Sequence, residues 1–167
     1  MKLTRLIFFL VLLSCSLAGG AQTGIYAAFT GAKLNPNADW IYGPTVGVYL
    51  DTWHFGLVSA GIDLRGQFLG GGGATQLNSG LGGVRVAATP HILPIKPYAE
   101  AIGGIGYYKF AQGSSTNFEY NFLGGIDFTF FPRLDWRVAE FSYGSISGLD
   151  NGFHPKTLST GLVFRLP

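Results

Sequence analysis

The sequence predicts an all-β fold: an eight-stranded antiparallel up-and-down barrel that crosses a membrane. Three observations carry this expectation. Eight stretches of about ten residues or more alternate apolar with small or polar side chains, the period of a strand with two unlike surroundings. The chain is 47% hydrophobic and 15% aromatic but only 12% charged. Soluble domains carry roughly 25% charged residues, so a water-exposed surface would be hard to build here. An apolar leader precedes the first alternating stretch.

Residues 1–21 read as a secretory signal peptide. Lys2 and Arg5 supply the positive start, Leu6 to Leu13 the apolar core, and Ser14 to Ala21 a small, flexible cleavage region before Gln22. The apolar run is too short for a spanning helix, which needs about 20 residues. The single Cys15 lies in this leader; Leu12-Leu13-Ser14-Cys15 only loosely resembles a lipobox, because Leu13 fits it poorly. Residues 22–167 then form one cysteine-free barrel domain, with no disulfide framework. The formal charge of +2 belongs to the leader; the remainder has nine basic and nine acidic residues. With no basic stripe interleaved with aromatics, nucleic acid is not a partner.

The predicted strands are Thr23–Ala32, Tyr42–Asp51, His54–Gln67, Gln76–Ala88, Lys96–Lys109, Thr116–Phe131, Asp135–Gly144 and Thr157–Leu166. The sixth is the clearest. Phe118, Tyr120, Phe122, Ile126, Phe128 and Phe130 share one face, and Glu119, Asn121, Gly125, Asp127 and Thr129 the other. In the second, Val46 and Val48 alternate with Thr45, Gly47, Tyr49 and Asp51; in the third, Ile62 and Leu64 alternate with Gly61, Asp63 and Arg65. The fourth sets Val84 and Val86 against Gly83 and Arg85. The fifth sets Ala99, Ala101, Ile105 and Tyr107 against Glu100, Gly104, Gly106 and Tyr108. The last sets Leu158, Leu162 and Phe164 against Ser159, Gly161 and Arg165. Only the seventh breaks parity: Arg137 and Glu140 fall on opposite faces unless a β-bulge lies between them. The apolar face carries Phe, Tyr, Val, Leu and Ile and suits lipid. The other face is mostly Gly, Ser and Thr with isolated charges and suits a narrow packed lumen, unlike a lipocalin-like barrel.

The links agree with this arrangement. Tight links are expected at Thr52-Trp53 and Pro132 to Leu134, with a proline-rich one from Thr89 to Ile95. With the N-terminus periplasmic, the outward links are about 33–41, 68–75, 110–115 and 145–156, rich in turn-formers such as Asn35-Pro36-Asn37 and Asp150-Asn151-Gly152. Trp40, Tyr42, Trp53, Phe131, Trp136 and Tyr143 stand near strand ends, where an aromatic girdle belongs.

The closing segments Ala139-Glu140-Phe141-Ser142-Tyr143-Gly144 and Leu158 to Leu166 (LSTGLVFRL), together with the leader and eight strands, resemble the small outer-membrane β-barrel family that includes the OmpA transmembrane domain and OmpX-like proteins. The resemblance spans residues 22–167 and is specific for architecture, not activity. It implies outer-membrane lipid and lipopolysaccharide as surroundings and the barrel-insertion machinery as a partner in assembly. Two departures matter. No periplasmic domain follows residue 167, so peptidoglycan attachment is not implied. The chain ends Arg165-Leu166-Pro167, leaving Phe164 as the aromatic nearest the C-terminus for the assembly signal.

The inward charges predicted from parity are Asp63, Arg65, Arg85, Glu100, Glu119, Asp127 and Arg165, with Glu140 or Arg137 added by a bulge. An eight-stranded barrel is just wide enough for side chains to fill, so these charges should pair into a polar plug. The alternative is a narrow ion or small-solute channel gated by exchange of ion-pair partners. An enzymatic reading, lipid A modification, rests on little. His54 and His91 are expected at the periplasmic side and His154 in the last outer loop, with Ser147 as its possible partner and no motif joining them. No metal-ligand spacing and no phosphate-cradling motif is present, Gly70 to Gly73 lacking its lysine and helix, so no cofactor is expected. The expectation is therefore a non-enzymatic outer-membrane barrel with a structural or surface-interaction role, its surface ligand open.

Overall fold

In a computed structural model, residues 22–34, 39–72, 75–90, 93–110, 113–147 and 154–166 are described. The leader, with Cys15, and His91 lie outside them. Eight antiparallel strands close into a barrel in chain order: β1 (Gln22–Lys33), β2 (Trp40–Phe55), β3 (Val58–Gly70), β4 (Gln76–Ala88), β5 (Ile95–Phe110), β6 (Gly113–Phe131), β7 (Leu134–Ile146) and β8 (Lys156–Arg165). Closure is made by β1 against β8, from Gly24↔Arg165 to Lys33↔Lys156. With every strand paired on both sides, no row of backbone amides and carbonyls is left open. Each strand reaches the length of about 9–11 residues that a tilted strand needs to cross a bilayer.

Burial follows the alternation. Phe118, Phe122, Leu64, Val84, Ile105 and Phe164 are among the large apolar side chains exposed on the outside, while Glu119, Asn121, Asp63, Arg65 and Arg85 are buried within. An outer surface this apolar needs a lipid solvent. The six aromatic residues assigned to the girdle are all exposed on the outer surface.

Three local findings depart from or refine the sequence reading. The link expected at Thr52-Trp53 lies instead at Gly56-Leu57, between Phe55 and Val58, which pair with each other. Gly56 adopts φ 63°, the left-handed first position of a two-residue hairpin turn, which glycine enters without a Cβ clash. At Thr52 the ladder slips by one residue between Asp51 and Trp53, a bulge rather than a turn. His54 consequently lies one residue before the end of β2, opposite Ser59, and does not start a strand. The link after β6 is Pro132-Arg133, with β7 already begun at Leu134. In β7, Val138 and Ala139 both face outward and the register against β8 shifts between Arg137 and Glu140. That bulge restores Arg137 and Glu140 to the same, inner face.

Candidate functional site

The lumen is where the sequence places its charges, and the strands deliver them to one level. Arg65 on β3 reaches Glu100 on β5, Glu140 on β7 at 2.8 Å and its own strand neighbour Asp63 at 2.9 Å. Arg85 on β4 meets Glu100 at 2.6 Å and Asp127 on β6 at 3.4 Å. Arg137 on β7 meets Asp127 and Glu140, both at 3.0 Å. These contacts close on themselves. The sequence Arg65–Glu100–Arg85–Asp127–Arg137–Glu140 and back to Arg65 is a ring of alternating charge, with Asp63 attached at Arg65. Every member is nearly fully buried. Alternation matters, because a buried charge is tolerated only where opposite charge and hydrogen bonds replace its water.

Strands β1, β2 and β5 contribute tyrosines that complete the ring. Arg85 Cζ lies 4.0 Å from the centroid of Tyr98 and 4.3 Å from that of Tyr49. Arg137 Cζ lies 4.2 Å from Tyr26 and 4.8 Å from Tyr98. The guanidinium groups therefore lie over π-faces while their nitrogens pair with carboxylates. The hydroxyls point back to the acids: Tyr26 reaches both oxygens of Asp63 at 2.9 Å, and Tyr98 donates to Glu140 Oε2 at 2.7 Å. Room for these rings comes from glycines opposite them. Gly125 faces Tyr98, Gly47 faces Tyr26 and Gly24 faces Tyr49, and a Cβ at any of the three would overlap the ring.

The remaining predicted residues sit apart from the ring. Arg165 pairs at 3.0 Å with Asp135, which Lys96 also reaches at 3.1 Å, at the end of the barrel bearing the short Gly56-Leu57 and Pro132-Arg133 turns. Glu119 lies toward the opposite end. It accepts from Tyr108 and Asn121, both at 2.7 Å, and pairs with no cation among the described residues. Between the ring and that end run hydroxyl pairs: Thr30 with Thr45 at 2.7 Å and with Ser159 at 2.9 Å, and Ser142 with Thr157 at 2.7 Å.

Above the hydroxyls, at the loop end, the lumen changes character. Ala32, Leu34, Ile41, Leu69, Leu77, Tyr108 and Ile146 form a buried apolar cluster. Contributed by six strand ends and the start of one loop, it caps the barrel where the sequence reading expected polar filling. Sequence parity already put Tyr108 on the Glu100 face. The tyrosine stack, the Asp51 and Asp135 carboxylates and the apolar cap were not read as parts of one site, because each strand contributes only one or two of these residues.

Of the described histidines, His54 lies on β2 opposite Ser59 and His154 follows the last loop. His154 stacks on Tyr143, with centroids 5.7 Å apart, and its Nδ1 lies 3.3 Å from the Gly144 carbonyl oxygen. Ser147 donates its backbone N–H to the Phe118 carbonyl. Among the described residues no group of three His, Cys, Asp or Glu side chains has the geometry to hold a metal ion.

No protein-family model matches the sequence, and no curated protein matches it either. The fold, by contrast, has solved counterparts. Neisserial surface protein A superposes with a TM-score of 0.59 at 16% identity, covering 89% of this chain and 98% of that one. Ail, the attachment invasion locus protein of Yersinia pestis, gives 0.53 at 13% identity over 87% and 97%. The outer-membrane enzyme PagL gives 0.55 at 18% identity over 84% and 98%. The architecture is that of the small eight-stranded outer-membrane barrels.

Proposed function

We propose that this chain is an outer-membrane barrel that works as a closed structural and surface-binding element, with its activity on its exterior and loops. The observation that carries the reading is the double closure of the lumen: a complete ring of three arginines and three carboxylates beneath a cap of apolar side chains. A conducting path needs continuous water. The ring occupies its level with mutually paired charge, and in the cap only the Tyr108 hydroxyl is polar, already engaged by Glu119. A surface role is supported further by the names of two neighbours of the same fold, a Neisserial surface protein and an attachment invasion locus protein. PagL keeps an enzymatic alternative in view, but His154 and Ser147 here engage backbone carbonyls through a ring nitrogen and an amide N–H. Lipid and lipopolysaccharide are the surroundings such a protein would meet, and the barrel-insertion machinery its partner during assembly.

Two measurements test this reading. Protein from isolated outer membranes should migrate differently in a detergent gel with and without boiling, as a folded barrel does. The same protein in planar bilayers should show no stable unitary conductance. A soluble periplasmic protein without the mobility shift would overturn the membrane assignment; steady conductance would overturn the closed lumen and favour the channel.

A further inference from the structure

The outer surface carries one row that does not fit a purely apolar belt. Lys33 on β1 and Lys156 on β8 are directly opposed at the loop end of the barrel, where the two strands close it. Trp40 pairs with Lys33 on one side, and Tyr143 pairs with Lys156 on the other. The row therefore reads Tyr143–Lys156–Lys33–Trp40 across four adjacent strands, all facing outward. Lys156 Nζ lies 5.9 Å from the Tyr143 centroid. Two like charges directly across a ladder repel and cost stability. No carboxylate of the described residues forms an ion pair with either; Asp39, the nearest acid along the chain, is exposed and does not reach Lys33.

Charge on the outside is also one-sided. Every acid in the described strands is buried within the barrel, whereas Lys33, Lys109 and Lys156 all point outward and all stand at the loop end. The placement invites an anion at that interface.

Directly beneath the lysine pair the wall is hollowed. One outward step down, about 7 Å along the strands, Gly31 lies opposite Leu158, and Phe29 opposite Thr160 below them. A groove of about 380 Å³ is lined by Phe29, Gly31, Trp40, Tyr42, Leu158 and Thr160. Phe29, Tyr42 and Trp40 stack in sequence along one bank, with centroids 6.1 and 6.2 Å apart. Gly31, bare of a side chain, lets the Tyr42 ring settle over it: a Cβ there would stand 3.1 Å from Tyr42 Cε1. A cationic pair at the interface above an apolar furrow matches one kind of molecule, an anionic amphiphile standing in the membrane.

We propose that this face holds one phosphate-bearing lipid of the outer leaflet. Its phosphate bridges the Lys33 and Lys156 ammonium groups, and an acyl chain lies in the furrow along the Phe29, Tyr42 and Trp40 rings. The long lysine stems can follow the apolar wall and present their charges at headgroup depth. The proposal rests on the membrane reading above, and its test separates the two.

The experiment is native mass spectrometry of the folded full-length barrel in detergent micelles, titrated with bis-phosphorylated lipid A. Wild type should retain one lipid per barrel. The Lys33→Gln/Lys156→Gln double variant should bind roughly thirtyfold more weakly, each interfacial lysine contributing roughly fivefold to holding an anionic lipid. Lys109→Gln should bind like wild type, and lipid A stripped of its phosphates should bind wild type no better than it binds the double variant. Boiling-dependent gel mobility, measured on each variant, reports folding independently of lipid. Equal retention by wild type and a folded double variant overturns the proposal alone. Equal weakening by Lys109→Gln reduces the effect to general charge and also overturns it. A dimer that excludes lipid assigns the face to a second copy. Absence of any mobility shift in wild type removes the membrane reading and the proposal with it.

Discussion

Tyr98 occupies the space that a side chain on Gly125 would need: a Cβ at position 125 would stand 2.5 Å from Tyr98 Cζ. The two residues are register partners on β5 and β6. The missing Cβ lets the ring settle against the wall, under Arg85 and Arg137, with its hydroxyl on Glu140. One glycine thus positions an aromatic, which positions two cations and an acid. Gly125→Ala is expected to destabilise the folded barrel by about 1–3 kcal/mol, the usual cost of forcing a packed side chain out of place. Gly80→Ala, where the added carbon meets nothing within 4 Å, should fall within about 0.5 kcal/mol of wild type. Urea unfolding of the two variants in lipid vesicles, side by side, checks the contrast.

The ring predicts a coupling. Arg85→Met removes one of the two arginine partners of Glu100 and of Asp127 while both acids stay buried, so a loss of about 3–5 kcal/mol is expected. Adding Glu100→Gln to that variant discharges a carboxylate left with Arg65 as its one remaining cation partner. The double variant should therefore be more stable than additivity allows, by about 1–3 kcal/mol. Equilibrium unfolding of the four proteins in the cycle measures the coupling energy. Additivity within about 0.5 kcal/mol would mean that Arg85 and Glu100 do not stabilise one another.

Much of this was legible because period two is a strict rule. Once Val84 is assigned to lipid, Arg85 has only the lumen to enter, and Glu100 follows on the next strand by the same logic. Even the exception was legible, since Arg137 and Glu140 conflict in parity and a bulge resolves it. The turn at Gly56-Leu57 was missed because Thr52 and Trp53 interrupt the alternation just as a turn would. There the irregularity is a bulge, and the ladder resumes for three more pairs. The ring itself could not be read, because strand parity gives the face and not the height. Height depends on register across neighbours, which fixes Arg85 opposite Glu100 but brings Arg65 to Glu140 only through closure and tilt. The apolar cap hid for a related reason: Leu34, Ile41, Leu69 and Leu77 look like ordinary strand-end residues until the barrel brings them together.

Two seals in series imply that opening either one alone is not enough. Leu77→Ser in the cap should leave conductance at baseline, since the ring remains intact below it. Arg137→Ala should also remain closed, because the apolar cap excludes water above. Only the combined variant is expected to pass ions in planar bilayers, provided its gel mobility still shows a folded barrel. Conductance from Leu77→Ser alone would mean that the ring is permeable as it stands.

The last prediction concerns barrel closure at the turn end. Asp135 Oδ2 lies 3.1 Å from Lys96 Nζ and 3.0 Å from Arg165 Nε, tying β7 to β5 and to the final residue of β8. Asp135 is fully buried, whereas the two cationic side chains keep about a fifth of their surface exposed, 18% and 20%. Water can therefore take over part of each cation's solvation when the acid is removed, which buried arginines in the ring cannot exploit. Asp135→Asn should consequently cost less than Arg85→Met, about 1–2 kcal/mol against about 3–5. Because β8 completes the ladder with β1 through Gly24↔Arg165, the loss should show first as fraying of that seam. Hydrogen exchange at the backbone amides of β8 is expected to rise from the Arg165 end in Asp135→Asn while β4 and β5 stay protected. Uniform acceleration over all eight strands would instead assign Asp135 to global stability and not to the seam.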